Sequence, residues 1–282
     1  MIREYRSKDY NFNFDTDTGY FERWGETLED DPEVAPAPEI LDIEIASGYC
    51  KGNCPHCYKA NSLDQSIHFM PFNTYKKLFD IINTPVLTQI AFGITDIDAN
   101  PYFWDIMQYT KDHGVIPNYT TNGIGVTEEI ATKTASLCGA VAVSVYNGKK
   151  EQAYEAIKRF TDAGMTQVNI HFMLAEEPLP LAVEVLRDIK TRPELAKLNA
   201  IVFLQYKDKN PDANFHNVSF IHFKQIVEHC LNTGIRFGFD SCSSAMFMKA
   251  VSHRQDAIEL IKSVDNCEST LMIFYINANG YG

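Results

Sequence analysis

From Ile40 onward, short runs of apolar and β-branched residues alternate with longer amphipathic stretches. The predicted strands span residues 41–46, 87–93, 116–122, 140–146, 166–174, 199–207 and 235–240. The predicted helices lie between them, at residues 73–83, 101–113, 127–138, 149–163, 178–191 and 221–233. Such alternation is typical of βα units that build a parallel sheet, so we predict an α/β fold. About six units are fewer than the eight of a complete barrel.

The first 38 residues do not follow this alternation and are acidic, aromatic and interrupted by prolines. We predict an irregular N-terminal leader over residues 1–38, a main domain over residues 39–240 and a C-terminal extension over residues 241–282. Large aromatic residues in the leader favour docking against the main domain over a disordered tail, which is the alternative. These aromatic residues are Phe12, Phe14, Tyr20, Phe21 and Trp24.

Charge and composition argue against several classes of protein. The 282 residues carry 25 Lys and Arg against 37 Asp and Glu, a net charge of −12, whereas a general nucleic-acid binder presents a basic face. No apolar run approaches the ~18 residues of a membrane span. The N-terminal "MIREYRSKDY" lacks the apolar core of a signal peptide. We therefore expect a cytoplasmic protein without general nucleic-acid binding or membrane binding.

Three of the seven cysteines lie within the short stretch "YCKGNCPHCY". The spacing of Cys50, Cys54 and Cys57 would place them on one face of a helix, where free cysteine behaves as a small hydrophobe. Gly52 and Pro55 disfavour a helix, so the stretch is predicted to be a loop. An odd number of cysteines in a cytoplasmic chain indicates metal or redox use rather than a disulfide framework.

A loop with three thiols has two candidate ligands, a zinc ion and an iron–sulfur cluster. Structural zinc usually takes four ligands from two separated pairs, and His56, directly beside Cys57, is poorly placed to complete such a set. Thiolates are the usual ligands of iron–sulfur clusters, and three of them match three irons of a [4Fe–4S] cluster. The fourth iron then stays open to a small molecule.

The stretch "CKGNCPHC" resembles the C-x3-C-x2-C signature of the radical S-adenosylmethionine (SAM) superfamily, although His56 stands where that family often has an aromatic residue. The resemblance implies a partial (β/α)6 TIM-like barrel and a SAM molecule whose methionine part chelates the open iron. It also implies reductive cleavage of SAM to a 5′-deoxyadenosyl radical, which abstracts hydrogen from a substrate. The implied partners are an electron donor such as flavodoxin or ferredoxin and an unidentified substrate, with a peptide as one candidate.

Active sites of parallel barrels lie at the carboxyl ends of the strands, so later strand ends supply further candidates. The second strand ends in "AFGITDIDANP", which partly resembles the family's glycine-rich stretch ending in an acid that binds the methionine amino group. The resemblance assigns Gly93, Thr95 and Asp96 to SAM, with a turn and a solvated aspartate as the alternative. The following strands supply weaker candidate ligands for the same cofactor. Asn122 and Ser144 lie at strand ends, and His171 and Gln205 lie within strands. For some of these side chains, simple filling of the barrel interior is the alternative.

The four remaining cysteines fall into two groups. Cys138 precedes a helix-stop glycine and Cys230 lies in an amphipathic helix, so both are predicted to be core residues. Cys242 follows a strand at the active-site end, and Cys267 precedes a predicted strand that runs into an Asn-Gly hairpin turn near residue 279. This tail resembles the start of a SPASM or Twitch extension. The resemblance implies that Cys242 and Cys267 bind an auxiliary iron–sulfur cluster, and ordinary buried cysteines are the alternative.

Two functions from different classes remain open from the sequence. A radical SAM enzyme is favoured by the open iron and by the polar groups at the strand ends, which suit a zwitterionic ligand. A non-catalytic iron–sulfur or zinc-binding protein with a redox-sensing or structural role is the alternative. A purely structural metal site is usually closed by a full set of protein ligands, which counts against that alternative.

Overall fold

The N-terminal segment folds into a small antiparallel sheet. The computed structural model describes residues 1–207, 214–264 and 267–282. The sheet has the order β1-β2-β3 and is formed by β1 Ile2–Arg6, β2 Asn11–Asp15 and β3 Phe21–Trp24. The prediction of an irregular leader was therefore wrong for this segment. The period-2 alternation of Phe12 and Phe14 with polar residues is a strand signal, because it places both rings on one buried face.

This sheet docks on the main domain, as its aromatic residues predicted. Tyr10, Phe12 and Phe14 are buried in a hydrophobic cluster with Val86 and Met272, which lie far from them in sequence. Polar contacts border the cluster. The Tyr10 hydroxyl donates to the Glu39 carboxylate, and the Arg23 guanidinium reaches Glu39 at 3.4 Å and Glu268 at 2.6 Å. Burial raises the pKa of Glu39, so these donors are needed to hold it ionised.

We expect the substitution Tyr10→Phe to lower the free energy of unfolding by about 1–3 kcal/mol, because it removes a donor from a buried carboxylate. Chemical denaturation with a circular-dichroism readout measures this difference. The matched control is Tyr20→Phe, because the Tyr20 ring is 60% exposed and its hydroxyl donates to Glu22 on the surface. Equal losses in the two variants would contradict a specific role for the contact between Tyr10 and Glu39.

The remaining strands build the main domain. In chain order they are β4 Ile40–Glu44, β5 Ala46–Ser47, β6 His68–Phe69, β7 Gln89–Gly93, β8 Ile116–Thr121, β9 Ala140–Ser144, β10 Val168–Leu174, β11 Ala200–Gln205, β12 Phe237–Phe239 and β13 Ile273–Ile276. Eight of them form one parallel sheet in the order β12-β11-β10-β9-β8-β7-β4-β13, and β5 pairs with β6 in a separate ribbon. The predicted α/β class and partial TIM-like barrel are confirmed.

The helices cover the outer face of the parallel sheet. They are α1 Phe72–Ile82, α2 Phe103–Asp112, α3 Glu128–Leu137, α4 Lys150–Asp162, α5 Leu179–Thr191, α6 Phe220–Thr233, α7 Ser244–Val251 and α8 Ala257–Ile261. Local contacts cap the helix ends: the Thr127 side chain accepts from the backbone N–H of Ile130 at 3.2 Å, and Gly234 ends α6 with φ of +65°. Within the described ranges, no helix has the length and apolarity needed to cross a membrane.

Alternation along the strands separates a core from a polar interior. Along β4, Leu41 and Ile43 are buried in the core shared with the helices, whereas Asp42 between them faces the barrel interior. Along β8, the Tyr119 hydroxyl bonds Thr134 of α3 at 2.7 Å, so the neighbouring residues of β8 face inward. The carboxyl ends of the parallel strands therefore meet around a polar opening.

The C-terminal strand adds an eighth strand to the seven predicted for the main domain and is not the isolated hairpin that the sequence predicted. β13 pairs with β4 in parallel, with Tyr275 beside Asp42 and Ile276 beside Ile43 in register. This pairing satisfies its backbone along one edge and makes it the eighth strand of the main sheet. The predicted turn follows, with Gly280 at φ of +84°. Local periodicity cannot indicate this pairing, because its partner lies more than 230 residues earlier in the chain.

Candidate functional site

The three clustered cysteines lie on a loop at the carboxyl end of β4, as the sequence predicted. We call residues 49–60 the cysteine loop. Tight reverse turns shape it: the backbone N–H of Asn53 donates to the Cys50 carbonyl at 3.3 Å, and that of Cys57 donates to the Cys54 carbonyl at 3.1 Å. Asn53 has φ of +46°, which asparagine tolerates better than most residues. Cys50, Cys54 and Cys57 are free, partly buried thiols.

Gly52 lets the cysteine loop pack closely on the ends of β8 and β9. A Cβ at this position would lie 3.2 Å from Cys50 Sγ, 3.2 Å from the Tyr146 hydroxyl and 3.5 Å from Asn122 Nδ2. The Tyr146 hydroxyl also hydrogen-bonds the Cys54 thiol. Burial raises the pKa of Cys54 to about 11, and this hydrogen bond acts in the opposite direction. Binding of a positively charged metal group would overcome the raised pKa, because ligation requires the thiolate.

A buried carboxylate fastens the first half of the cysteine loop to the sheet. Asp96 is only 3% exposed. Its Oδ2 accepts from the backbone N–H of Lys51 at 2.9 Å, and its Oδ1 accepts from Asn122 Nδ2 at 2.8 Å. The same Asn122 amide lies 3.2 Å from the Thr95 carbonyl and 3.8 Å from Cys50 Sγ. Both oxygens of Asp96 thus have partners within the protein, and their direct effect is to position the loop.

Thr95 supplies a polar atom that suits a ligand next to Cys50. Its side chain is 3% exposed, and its hydroxyl has no hydrogen-bond partner within the part of the chain that the structure describes. Its carbonyl lies 3.9 Å from Cys50 Sγ. An unpaired buried hydroxyl costs free energy, so this placement fits a polar cofactor held beside the cysteine loop.

The three thiols of the cysteine loop are the candidate ligands of an iron–sulfur cluster. Within residues 1–207, 214–264 and 267–282, no three Cys, His, Asp or Glu side chains converge on a point that could hold one metal ion. A [4Fe–4S] cluster takes each thiolate at a different iron, so its ligands surround a volume and need not converge. The loop supplies three free thiols for such a cluster and, next to Cys50, the unpaired Thr95 hydroxyl for a further polar ligand.

Three more of the predicted residues border the same opening. Gly93 ends β7 and pairs with Glu44 and Thr120 in register. Ser144 ends β9 and pairs with His171 of β10, so their side chains share the inner face. His171 Nδ1 lies 3.4 Å from the Thr120 hydroxyl, and burial lowers the pKa of His171 to about 4. The imidazole is therefore neutral at pH 7 and can both donate and accept a hydrogen bond.

Gln205 is not brought together with the other candidates. It pairs in register with Leu174, whose side chain is buried in the core shared with the helices. Paired residues on neighbouring strands share a face, so Gln205 lies on the side of the sheet opposite to His171. Its backbone N–H donates to Asp240 at 3.3 Å.

The structure also separates Cys242 from Cys267. Cys242 follows the carboxyl end of β12, and Cys267 precedes the amino end of β13. Because the strands are parallel, these positions belong to opposite ends of the sheet, and both side chains are exposed. The two other cysteines are core residues as predicted, with Cys138 9% and Cys230 0% exposed.

Sequence reasoning missed three contributors to this site. The Lys51 backbone N–H binds Asp96 irrespective of its side chain, so no residue type could indicate it. Tyr146 follows Ser144 by two residues, and its position just after a strand end was the available signal. Lys59 binds Glu44 at 3.5 Å, a contact between two segments whose proximity follows only from the fold.

Comparisons with known proteins agree with this arrangement. No family model matches the chain. The mycofactocin maturase MftC of Mycobacterium tuberculosis is 24% identical over 151 residues, which are 49% of this chain and 38% of that protein. MftC of Mycolicibacterium smegmatis is 24% identical over 154 residues, or 50% and 39% of the two chains. The matched part therefore spans less than two fifths of the length of these relatives.

Solved structures show the same fold at low sequence identity. Streptococcus suis SuiB aligns over 99% of this chain and 80% of its own, with a TM-score of 0.69 and 10% identity. Native anSMEcpe with bound AdoMet aligns over 85% of this chain and 72% of its own, with a TM-score of 0.59 and 16% identity. A partial barrel whose first parallel strand leads into three clustered cysteines, together with these similarities, supports membership of the radical SAM superfamily.

Proposed function

We propose that this chain is a radical SAM enzyme in which Cys50, Cys54 and Cys57 hold a [4Fe–4S] cluster beside a SAM site. When bound, the cluster supplies the electron that cleaves SAM to methionine and a 5′-deoxyadenosyl radical, which abstracts hydrogen from the substrate. The proposal rests on one observation above all. Asp96 connects the cysteine loop to the strand ends, because its carboxylate accepts from Lys51 N at 2.9 Å. This contact holds the Cys50 end of the cysteine loop at the opening of the barrel.

The side chains around the opening can bind and orient SAM. Gly93 lies against Glu44 at the end of β7, where a Cβ would be 3.4 Å from Glu44 Cα, and the unpaired Thr95 hydroxyl can bond a polar group of the methionine part. Ser144 and the neutral His171 stand side by side on the inner face, where they can bond the carboxylate or the ribose hydroxyls. Asn122 acts through the cysteine loop, because its amide already bonds Asp96 and the Thr95 carbonyl.

A peptide is the substrate class that the relatives favour. SuiB has been solved bound to its precursor peptide SuiA, and anSMEcpe with bound AdoMet and a Kp18Cys peptide. MftC is named as the maturase of mycofactocin. We propose that this chain also modifies a peptide in the cytoplasm and receives its electron from a flavodoxin or ferredoxin. The function does not require an auxiliary cluster, and Cys242 and Cys267 lie at opposite ends of the sheet, so a cluster shared by these two residues is not part of the proposal.

Anaerobic reconstitution followed by product analysis tests the proposed function. We expect about four irons per chain. We also expect 5′-deoxyadenosine after addition of SAM and dithionite, detected by liquid chromatography and mass spectrometry. The control is the same protein without dithionite, which should form no nucleoside. Bound zinc with no nucleoside product would contradict the proposal and favour a non-catalytic metal protein.

A further inference from the structure

The C-terminal strand contacts the cysteine loop through a buried carboxylate on β4. The Tyr275 hydroxyl donates to Glu44 Oε2 at 3.2 Å, and the backbone N–H of Ala278 donates to the same oxygen at 3.3 Å. Lys59, two residues after Cys57, places its ammonium 3.5 Å from Glu44 Oε1 and also donates to the Tyr275 hydroxyl. One carboxylate therefore joins the first parallel strand, the last strand and the far end of the cysteine loop.

The local chemistry makes these contacts costly to lose. Glu44 is only 8% exposed, so the donors around it replace the hydrogen bonds that water would otherwise make to its carboxylate. The Lys59 ammonium lies 4.2 Å from the centroid of the Tyr275 ring, which adds a cation–π contact to the ion pair. Removal of the Lys59 ammonium or the Tyr275 hydroxyl would leave the Glu44 carboxylate with fewer donors in a partly buried site.

The two ends of the cysteine loop have different anchors. The first end is held by Asp96, through the backbone N–H of Lys51. Near the second end, the His56 ring contacts Tyr146 edge-on at a centroid distance of 6.1 Å, a weaker kind of contact. The charged anchor at that end is Lys59, and its partner Glu44 is shared with the C-terminal strand.

We propose that Glu44, Lys59 and Tyr275, the Glu44 latch, are positioning residues through which β13 holds the Cys57 end of the cysteine loop. The proposal rests on the proposed function for the role of Cys57 in binding the cluster. Tyr275 pairs in register with Asp42, which puts its side chain on the inner face beside Glu44. Correct docking of β13 on β4 is therefore coupled to the geometry of a loop more than 200 residues earlier.

Exchange of backbone amides in the full chain, before and after anaerobic reconstitution, tests the coupling. Tyr275→Phe should raise hydrogen exchange of residues 54–60, and Lys59→Met should raise that of residues 273–278, because coupling between two sites is reciprocal. Both variants should release iron to a chelator roughly tenfold faster than the parent, since each loses a bond to a buried charge. Lys59→Arg should retain the parental rate.

Matched controls separate the latch from general loss of a surface contact. Lys76→Met removes an ammonium that lies 4.9 Å from the Phe72 ring on α1, and Tyr281→Phe alters a tyrosine that is 72% exposed. Neither control should change exchange in residues 54–60. Parental exchange and iron release in Tyr275→Phe, or equal defects in Lys59→Arg and Lys59→Met, would overturn the latch. A parent that takes up no iron would refute the proposed cluster, whereas the exchange data would still decide the coupling.

Discussion

Replacement of any one of Cys50, Cys54 and Cys57 by alanine is expected to abolish the absorbance of the iron–sulfur cluster almost completely. With two thiolates left, the cluster would lose a ligand at one of its three protein-bound irons. Formation of 5′-deoxyadenosine should fall below detection in each variant, since it requires the reduced cluster. Iron content, the visible absorption spectrum and nucleoside product should be measured on the same anaerobic samples.

Cys242→Ala is the matched control for these substitutions. Cys242 is an exposed free thiol beyond β12, so its loss leaves the cysteine loop intact. We expect parental iron content in this variant if the chain holds one cluster. A loss of about half of the iron would instead indicate a second iron site that includes Cys242. Full iron content and nucleoside formation in a variant of Cys50, Cys54 or Cys57 would exclude that residue as a ligand.

Asp96→Ala is expected to have the second largest effect. It leaves the backbone N–H of Lys51 without its acceptor, and the amide of Asn122 with only the Thr95 carbonyl, in a site where Asp96 was 3% exposed. We expect the free energy of unfolding to fall by about 2–3 kcal/mol and SAM affinity to fall roughly ten- to a hundredfold. Chemical denaturation and calorimetric titration of SAM measure the two quantities. Asp96→Asn, which keeps the shape and one acceptor oxygen, should lie between the parent and Asp96→Ala.

The iron content of Asp96→Ala separates two roles. If Asp96 positions the cysteine loop, cluster retention and SAM affinity should fall together. If it binds the methionine amino group directly, as the family resemblance implied, SAM affinity should fall while iron content stays at the parental value. An Asp96→Ala protein with parental iron content and parental SAM affinity would remove Asp96 from the site altogether.

The order of strands and helices in the main domain could be read from the sequence because it depends on local periodicity. The predicted strand 116–122 is observed as Ile116–Thr121, and the predicted helix 178–191 as Leu179–Thr191. Strands buried against helices need apolar residues at alternate positions, and helices need them at every third or fourth position. These requirements act within a few residues of each other, so a single sequence contains them.

The candidate site was predictable where the chemistry depends on residue type and spacing. Three thiols with Gly52 and Pro55 between them indicated a ligand loop, because these residues oppose a helix and thiolates suit iron. The strand-end rule of parallel barrels then located Thr95, Ser144 and the residues around them at the same opening. The rule did not predict the position of Gln205 correctly, because its register with Leu174 puts it on the outer face of the sheet.

By itself, the sequence determined the α/β alternation and the cysteine loop, since each follows from short-range pattern or from the identity of nearby residues, whereas the partial barrel was implied by the resemblance to the radical SAM family. Only the tertiary structure decided which distant groups meet. Examples are the parallel pairing of β13 with β4, the bond from Lys51 N to Asp96 and the contact of Lys59 with Glu44. It also placed Cys242 and Cys267 at opposite ends of the sheet. Such contacts depend on the path of the chain and on the register of the strands. Local sequence patterns are compatible with many paths and registers, and the packing of the whole core selects among them.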